Sequence, residues 1–241
     1  MYEVDLEPLP EGALDLLRQA STATVATQLY KRGIRQPQLL DVRPLSTVAG
    51  GFVAEAFTMR FIPAREDIDG LDPYRSGNTL QWEAIENVPP GHAIVVDSRG
   101  DASAASGGDI LMTRAWRRGA AAFVTDGGLR DADVLAELPF PTYSRTVTIT
   151  TRAAFHHVAD LQSPIACAGV AVYPGDVLVG DRNGIILVPR AMVGEIAEQA
   201  AETEKIEEFV SRKIHAGAPL YGTYPPSDEL LAEYRAAGGR A

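Results

Sequence analysis

An arginine and an aspartate stand side by side at the end of a glycine-rich turn. The segment TDGGLRD follows a strand-like stretch and brings Arg130 and Asp131 to one place. A guanidinium binds a carboxylate through two parallel hydrogen bonds, and an aspartate offers the hard oxygen that Mg²⁺ or Mn²⁺ prefers. The pair therefore indicates a site for an acidic ligand beside a divalent metal. A surface ion pair in a turn explains the same two residues equally well.

A second acid lies at the predicted start of a helix. In SGGDILMTRAWRRG, Gly107 and Gly108 free the backbone for a close approach, and Asp109 begins the helix. The first amides of a helix, here those of Ile110 and Leu111, lie at the positive end of its dipole and favour a carboxylate. Alternatively, Asp109 is only an N-cap that contributes about 1 kcal/mol, and the residues alone favour that simpler interpretation.

Three other polar features carry weaker signals. His156 and His157 are not expected to share a metal ion, because neighbouring residues of a strand point to opposite faces. The segment GDRNG, residues 180–184, lacks the lysine and the following helix of a phosphate-binding loop, and it predicts a hairpin turn. Cys167 is the only cysteine, which excludes an intrachain disulfide, and its apolar neighbours predict a buried thiol. These features are interpreted as structural.

The elements that must position the candidate site begin with a helix and a strand. Apolar spacing predicts a helix over residues 12–33. Alternating aromatic and β-branched residues after a Gly-Gly pair predict a strand over 48–63. The next segment, 65–81, is rich in Asp, Gly and Pro and is typical of a loop.

Strands then alternate with helices and dominate the second half of the chain. The strand patterns are HAIVVDS, AAAFVTD, TVTIT, IACAGVAV, DVLVGD and GIILVP. Helices are predicted at 109–118, within GLRDADVLAEL, and at 190–215. The last segment, PLYGTYPPSDELLAEYRAAGGRA, is expected to run over a surface or onto a partner subunit. The alternation favours an α/β fold.

The composition limits the class of protein. The 241 residues are 46% hydrophobic and 22% charged, which is the ordinary range for a folded domain. A formal charge of −10 disfavours nucleic-acid binding, because that binding needs clustered Lys and Arg. The acidic first segment lacks a signal-peptide pattern, and no stretch has the roughly 20 apolar residues of a membrane span. We therefore expect a cytoplasmic protein that binds neither nucleic acid nor membrane.

The run GGDILMTRAWRRGAAAFVTDGGLRD resembles the core motif of a known family. That family joins 4-hydroxy-4-methyl-2-oxoglutarate aldolases with proteins similar to the regulator of ribonuclease activity A. The resemblance continues through SPIACAGVAVYPGDVLVGDRNGIILVPR and covers residues 20 to 215. It implies an α/β fold, a swivelling β/β/α-type single domain with a C-terminal helical arm, assembled into a homotrimer or homohexamer.

The resemblance also implies a role for each candidate residue. Arg130 would bind the carboxylate of pyruvate, and Asp131 would ligate Mg²⁺ or Mn²⁺. Asp109 would hold the water on that metal and so take part in catalysis. The remaining substrate contacts would come from Gly108, Ile110 and Leu111.

The family completes its site with a glutamate from the C-terminal helix of a neighbouring subunit. In KIEEFVSRKIHAG the candidates are Glu207 and Glu208, and the spacing to Arg212 favours Glu208. The resemblance accordingly divides the chain into a catalytic core, residues 1–195, and a helix with a tail, residues 196–241, that packs on a neighbouring subunit.

Together these roles imply a class II type pyruvate aldolase, which is a carbon–carbon lyase. Such an enzyme cleaves a 4-hydroxy-2-oxo acid to pyruvate and a carbonyl product, with oxaloacetate decarboxylation as a side activity. The alternative is a non-catalytic regulator that binds a ribonuclease or another enzyme. The joint presence of Arg130, Asp131 and Asp109 favours the enzyme, because a regulator has no need of all three.

Two positions depart from the family pattern. The family's A-R-G is replaced by Tyr143, Ser144 and Arg145, and the first helix lacks an acid near Ala26 and Thr27. The insertion-like segment REDIDGLDPYRSGNTLQ and the tail segment YGTYPPS also differ from the family pattern. The chain is therefore expected to form a distinct branch that acts on a sugar-derived or aromatic-pathway oxo acid.

Overall fold

A computed structural model describes residues 6–69 and 79–238. Within these ranges the helices are α1 (Ala13–Leu17), α2 (Thr22–Lys31), α3 (Leu80–Asn87), α4 (Asp109–Arg117), α5 (Ala132–Glu137), α6 (Val193–His215) and α7 (Asp228–Ala236). The first seven strands are β1 (Gln38–Leu39), β2 (Arg43–Pro44), β3 (Phe52–Pro63), β4 (Ala93–Asp97), β5 (Ala122–Thr125), β6 (Gly128–Leu129) and β7 (Thr142–Ser144). The remaining strands are β8 (Thr146–Val147), β9 (His156–Leu161), β10 (Ile165–Cys167), β11 (Val170–Val172), β12 (Val177–Asp181) and β13 (Gly184–Val188).

One mixed sheet forms the centre of the molecule. Its strand order is β1-β13-β12-β3-β4-β5-β7-β2, and β9 pairs with β3 outside this path. Strands β3, β4, β5 and β7 run parallel, whereas β12, β13 and β9 pair antiparallel. The predicted α/β single-domain fold with a C-terminal helix is confirmed. Because β4 and β5 are parallel neighbours, the loops that leave their carboxyl ends meet at one edge of the sheet.

Helices α3, α4 and α5 cover one face of the parallel strands. Ile85 of α3 and Met112 of α4 are fully buried against Phe57, Ile94 and Phe123 of the sheet. Burying side chains of this size stabilises the fold by roughly 1.5–3 kcal/mol each. This packing anchors α4, and with it the first helical turn that carries Asp109.

The C-terminal helix begins in a second core. Ile196 of α6 is buried with Leu17 of α1, Val25 of α2 and Val179 of β12. Helix α7 then packs back on α6, where its Tyr234 contacts Phe209 and donates a hydrogen bond to Glu202 at 3.2 Å. The predicted docking of residues 196–241 on a neighbouring subunit stays a prediction.

Two local predictions were wrong because short polar side chains start new helices. The predicted helix over residues 12–33 is two helices, since the Ser21 hydroxyl accepts a hydrogen bond from the Thr24 amide and begins α2. The predicted loop over 65–81 ends early, because Thr79 caps α3 in the same way. Residues 70–78 of that loop lie outside the described residues.

The second half differs from the prediction in one segment. Of TVTIT only Thr146–Val147 is a strand, which pairs with β6. The GDRNG turn is a hairpin between β12 and β13, and Cys167 is buried, as predicted. His156 is buried while its neighbour His157 is half-buried and contacts Asp69. No helix of the described residues combines the length and the apolar content that a membrane span requires.

Candidate active site

Two loops at the edge of the sheet bring the predicted site residues together. The first loop leaves β4 and ends at the start of α4, and the second leaves β5 and runs through β6 into α5. The Arg130 amide donates a hydrogen bond to the Gly107 carbonyl at 3.2 Å, and the Ser106 amide donates to the Gly128 carbonyl at 2.7 Å. These backbone contacts fix the position of each loop relative to the other.

Gly108 allows the two loops to approach closely. A Cβ atom at this position would lie 2.3 Å from Asp131 Oδ2 and 2.9 Å from Arg130 Nε. The backbone of Gly108 is extended, with φ −145°, so the requirement is one of space rather than of backbone conformation. Glycine is therefore needed here so that Arg130 and Asp131 can lie against the start of α4.

Asp131 adopts an unusual backbone conformation and lies against Arg130 and the start of α4. Its φ of 60° lies in the left-handed region, which is unusual outside glycine and is best tolerated by Asn and Asp. Its Oδ2 accepts a hydrogen bond from the Asp109 amide at 3.2 Å and lies 3.3 Å from Arg130 Nε. Its Oδ1 has no hydrogen-bond partner in the described part of the chain, and the carboxylate faces solvent.

Arg130 presents the end of its guanidinium to solvent. Its side chain is 38% exposed, and only Nε contacts Asp131. Nη1 and Nη2 have no partner within residues 6–69 and 79–238. A carboxylate binds this end of a guanidinium through two parallel hydrogen bonds. The contact with Asp131 orients the guanidinium, and its outer end is accessible to an acidic ligand.

Asp109 is the first residue of α4 rather than its cap. Gly108 occupies the N-cap position, and no side chain caps the helix, so the interpretation of Asp109 as an N-cap was wrong. Asp109 Oδ1 instead accepts a hydrogen bond from the Ile110 amide at 2.8 Å. The other predicted donor, the Leu111 amide, forms no hydrogen bond with the described residues. The predicted seat for a carboxylate is thus partly filled by Asp109 itself.

A cleft of about 280 Å³ opens over Asp109 and Arg130, and Asp131 lies behind them in contact with both. The floor of the cleft is Gly107 and Gly108, and one wall consists of Arg130 and the first turn of α4. The opposite wall comes from elements that the sequence analysis did not assign to the site, namely Gln81, Trp82, Thr151 and Arg152. A sequence signal for α3 does exist, because Thr79 precedes apolar residues at helical spacing.

Gln81 connects that wall to the floor. Its buried side chain donates a hydrogen bond to the Ser106 carbonyl at 2.6 Å and accepts one from Arg152 Nε at 3.1 Å. The Ser106 hydroxyl in turn contacts the hydroxyls of Ser98 and Thr125, both at 2.7 Å. This buried polar network holds the backbone just before Gly107 and Gly108, because each of its members is hydrogen-bonded.

Comparison with known proteins decides the family. The family model described as RraA-like, Aldolase/RraA, matches residues 22–187. The chain belongs to the Aldolase/RraA family.

Proteins that are similar to this chain carry different names. A Halalkalibacterium halodurans protein with the provisional name 4-hydroxy-4-methyl-2-oxoglutarate aldolase is 33% identical over 158 residues, which are 63% of this chain and 75% of that protein. The structure of Streptomyces coelicolor RraAS2, a member of the RNase ES inhibitor RraA family, is 30% identical with a TM-score of 0.76 and covers 86% of this chain and 100% of that one. An uncharacterized protein of Pseudomonas syringae pv. tomato has a TM-score of 0.78 at 25% identity, covering 91% of this chain and all of its own.

The donor set of this Aldolase/RraA member fits a hard divalent cation. Within the described residues of a single chain, no group of three or more His, Cys, Asp or Glu side chains could hold a metal ion. Mg²⁺ does not need such a group, because it keeps several waters and binds proteins through one or two carboxylates. Asp131, with one oxygen unused by the described chain, matches that requirement.

The two predicted glutamates of the C-terminal helix lie apart from the cleft of their own chain. Glu207 and Glu208 are exposed on α6, and neither lines the cleft. Their contribution to the site of a neighbouring subunit stays a prediction. The structure of one chain therefore unites Arg130, Asp131 and Asp109, and it leaves the glutamates on a separate surface.

Proposed function

We propose that this Aldolase/RraA member is a divalent-metal-dependent carbon–carbon lyase that releases pyruvate from a 4-hydroxy-2-oxo acid. The observation that carries the proposal is that Arg130 and Asp109 line one cleft and that Asp131 contacts both of them. Both the guanidinium end and one aspartate oxygen are unused by the described chain. The aldolase name of the Halalkalibacterium relative supports the same reaction class.

Arg130 binds the carboxylate of the 2-oxo acid in this proposal. Nη1 and Nη2 form two parallel hydrogen bonds with it, while the contact between Nε and Asp131 keeps the guanidinium oriented. The amide of Leu111 adds a donor at the positive end of α4. The substrate is thereby held with its keto group near Asp131.

Asp131 would hold Mg²⁺ or Mn²⁺, and a cation held there would supply a Lewis acid for the keto group and for the negative charge that develops on it. Cleavage of the C3–C4 bond also requires that the C4 hydroxyl lose its proton and that C3 gain one. In this proposal Asp109 takes up the first proton, directly or through one water, and returns a proton to C3. The products are pyruvate and an aldehyde or ketone.

The alternative function is that of a regulator without catalysis. It rests on the likeness to RraAS2, which is named as a member of an RNase ES inhibitor family. A regulator of this kind recognises its partner through its surface and does not depend on Arg130 or on a divalent cation. An assay of pyruvate release therefore distinguishes the two functions.

Pyruvate release from a panel of 4-hydroxy-2-oxo acids tests the proposal. The purified chain is mixed with each compound and Mg²⁺, oxaloacetate is included for decarboxylation, and pyruvate is measured by a coupled assay. We expect release that stops on rigorous chelation and returns with Mg²⁺ or Mn²⁺. Full activity after chelation would contradict metal dependence, and inactivity on every compound would favour the regulator.

The variant Arg130→Lys separates this site from a contaminating activity. Lysine keeps the charge but loses the two-pronged contact, so kcat/KM should fall by about 2–3 kcal/mol, or roughly 30- to 150-fold. Arg182→Lys is the matched control, because Arg182 is exposed and lies outside the cleft. A near-wild-type Arg130→Lys enzyme would show that another residue holds the acid.

A further inference from the structure

Large apolar side chains surround the cleft beyond the residues that would bind pyruvate. Trp82 of α3 is 37% exposed and Ile110 of α4 is 77% exposed, and both line the cleft. Leu111, half-buried on the next position of α4, lines it as well. Single exposed apolar residues are ordinary on a surface, but three of them around one cleft give it a substantial apolar lining.

The second arginine that lines the cleft is fixed by hydrogen bonds to neighbouring residues. Arg152 donates hydrogen bonds to Gln81 and to the His156 carbonyl. Its charge also acts on Asp69: burial raises the pKa of that carboxyl, but hydrogen bonds from Arg65 and His157 together with the charges of His157 and Arg152 outweigh burial and lower it. The positive charge of Arg152 is therefore partly balanced by an acid of the same chain, and the large apolar side chain exposed on this wall is that of Trp82.

We propose that Trp82, Ile110 and Leu111 form a subsite for an apolar group on C4 of the substrate. The inference rests on the proposed function and names its substrate class: 4-hydroxy-2-oxo acids that release an alkyl or aryl aldehyde. An apolar group gains by leaving water for this lining. A second carboxylate at the same place would lose its hydration, and Arg152, the other cation of the cleft, already donates hydrogen bonds to Gln81 and to the His156 carbonyl.

The first turn of α4 connects the two halves of the substrate. Asp109, Ile110 and Leu111 are consecutive, and the amide of Leu111 and the side chain of Ile110 belong to the same rigid turn. An acid group bound by Arg130 therefore places the C4 substituent next to the apolar lining. Substituents that lie there contact Trp82 from the opposite wall.

Binding of unreactive 2-oxo acids tests the subsite without any turnover. Pyruvate, 2-oxoglutarate and 2-oxo-4-phenylbutanoate lack the C4 hydroxyl, so none of them undergoes the cleavage. The chain has two tryptophans, and the variant Trp116→Phe leaves Trp82 as the only indole fluorophore. With Mg²⁺ present, we expect 2-oxo-4-phenylbutanoate to bind about tenfold more tightly than either of the other acids and to change the Trp82 emission.

Calorimetry on substituted chains assigns the preference to the apolar lining. Trp82→Ala should reduce the affinity for 2-oxo-4-phenylbutanoate to that for pyruvate and leave the affinity for pyruvate unchanged. Ile110→Ala removes a highly exposed side chain without disturbing the core, and it should have the same direction of effect. Trp116→Phe is the matched control and should bind all three acids like the wild type.

The outcomes separate this inference from the proposed function. If pyruvate binds and Arg130→Lys weakens its binding, but the phenyl compound has no advantage, the subsite is wrong and the pyruvate site stands. If 2-oxoglutarate binds best, a second anion site replaces the apolar one. If no 2-oxo acid binds, or if Arg130→Lys leaves all binding unchanged, both proposals are wrong.

Discussion

Two pairs of aspartates follow the same two strands, and they differ in what satisfies their oxygens. Asp97 ends β4 and Asp126 follows β5, and both are buried. Asp97 accepts hydrogen bonds from the amides of Arg99 and Ala166. Asp126 accepts three, from the amides of Ser98, Gly100 and Ala168. This pair ties the loop after β4 to the loop after β5 and ties both to the β10–β11 hairpin.

The second pair lies a few residues farther along each loop. Asp109 and Asp131 are more exposed, and Asp131 keeps one oxygen that no described residue contacts. Carboxylates whose oxygens are all used by backbone amides stabilise the fold, whereas a carboxylate with a free oxygen beside an arginine is available to a ligand. The comparison predicts that the buried pair governs stability and the exposed pair governs activity.

The strongest test of the comparison is the variant Asp131→Asn. The amide keeps the size of the side chain but removes the negative charge that holds the cation, so activity with Mg²⁺ should fall at least about a hundredfold. The midpoint of thermal unfolding should stay near that of the wild type. Asp133→Asn, an exposed acid of the first turn of α5, is the matched control and should remain active. An active Asp131→Asn enzyme would assign the metal to another residue.

Asp126→Asn should have the opposite effect. The substitution places an amide donor against backbone amide donors, which should reduce the free energy of unfolding by about 2–3 kcal/mol. Denaturant unfolding measures this value, and kcat of the folded fraction at low temperature should change little. Unchanged stability would show that the three amide contacts of Asp126 do not hold the loops together.

The same variant tests the ionisation of Asp126. Burial raises its pKa above the usual 3.8, the charge of Asp97 acts in the same direction, and the three amides oppose them. A raised folded-state pKa means that this group's contribution to stability is fully present below the unfolded-state pKa and is lost as pH rises through the folded-state pKa. The stability advantage of the wild type over Asp126→Asn should therefore shrink from pH 4 to pH 7. A growing advantage would contradict the direction of the shift.

Gly108→Ala tests the close approach between the two loops. The added methyl group would meet Asp131 Oδ2 and Arg130, so both side chains must shift although neither is removed. Displacing groups that orient a substrate should lower kcat/KM by about tenfold. Gly50→Ala is a suitable control, because an added Cβ atom at Gly50 meets nothing within 4 Å. Equal activity of the two variants would show that the spacing at Gly108 is not critical.

The sequence predicted the parts of the site that lie within each of the two glycine-containing loops. Two glycines before an acid and two before Arg130 and Asp131 indicate close backbone approach, and the strand patterns on either side place both loops at one sheet edge. The α/β class followed from the same alternation. These signals are local, because each depends on residues that are neighbours in the chain.

The opposite wall of the cleft could not be predicted in the same way. Gln81 and Trp82 reach Gly107 through the packing of α3 over the sheet, and Arg152, from a distant segment, reaches it through its hydrogen bond to Gln81. Thr79 and Ser21 also show why helix boundaries were misplaced, since one hydroxyl that accepts a backbone amide is enough to start a helix. Apolar periodicity therefore predicted neither the long-range contacts of the cleft nor the helix boundaries that a single capping residue sets.

The smallest expected signal, a return to about a quarter of wild-type activity in a mixing experiment, concerns acids that lie outside the cleft of their own chain. Glu207 and Glu208 are exposed on α6, and like Asp131 they have oxygens that the described chain does not use. If the chain forms the predicted trimer or hexamer, one of them would complete the site of a neighbouring subunit. The Glu207/Glu208 double alanine variant and the Asp131→Asn variant should then each be defective when pure.

Mixing these two defective variants tests the contribution between subunits. The first keeps its own Asp131, and the second keeps glutamates that it lends to a neighbour, so some interfaces of a mixed oligomer would unite both. Random pairing of equal amounts makes about one site in four intact, and activity should return to about a quarter of wild type. Glu198→Ala in place of the glutamate variant should be active alone, because Glu198 is an exposed acid elsewhere on α6. Native mass spectrometry establishes whether the oligomers are mixed. If mixed oligomers stay as inactive as either parent, α6 contributes no carboxylate to the neighbouring site. The exposed glutamates of this helix would then differ from Asp131, because they would bind no ligand.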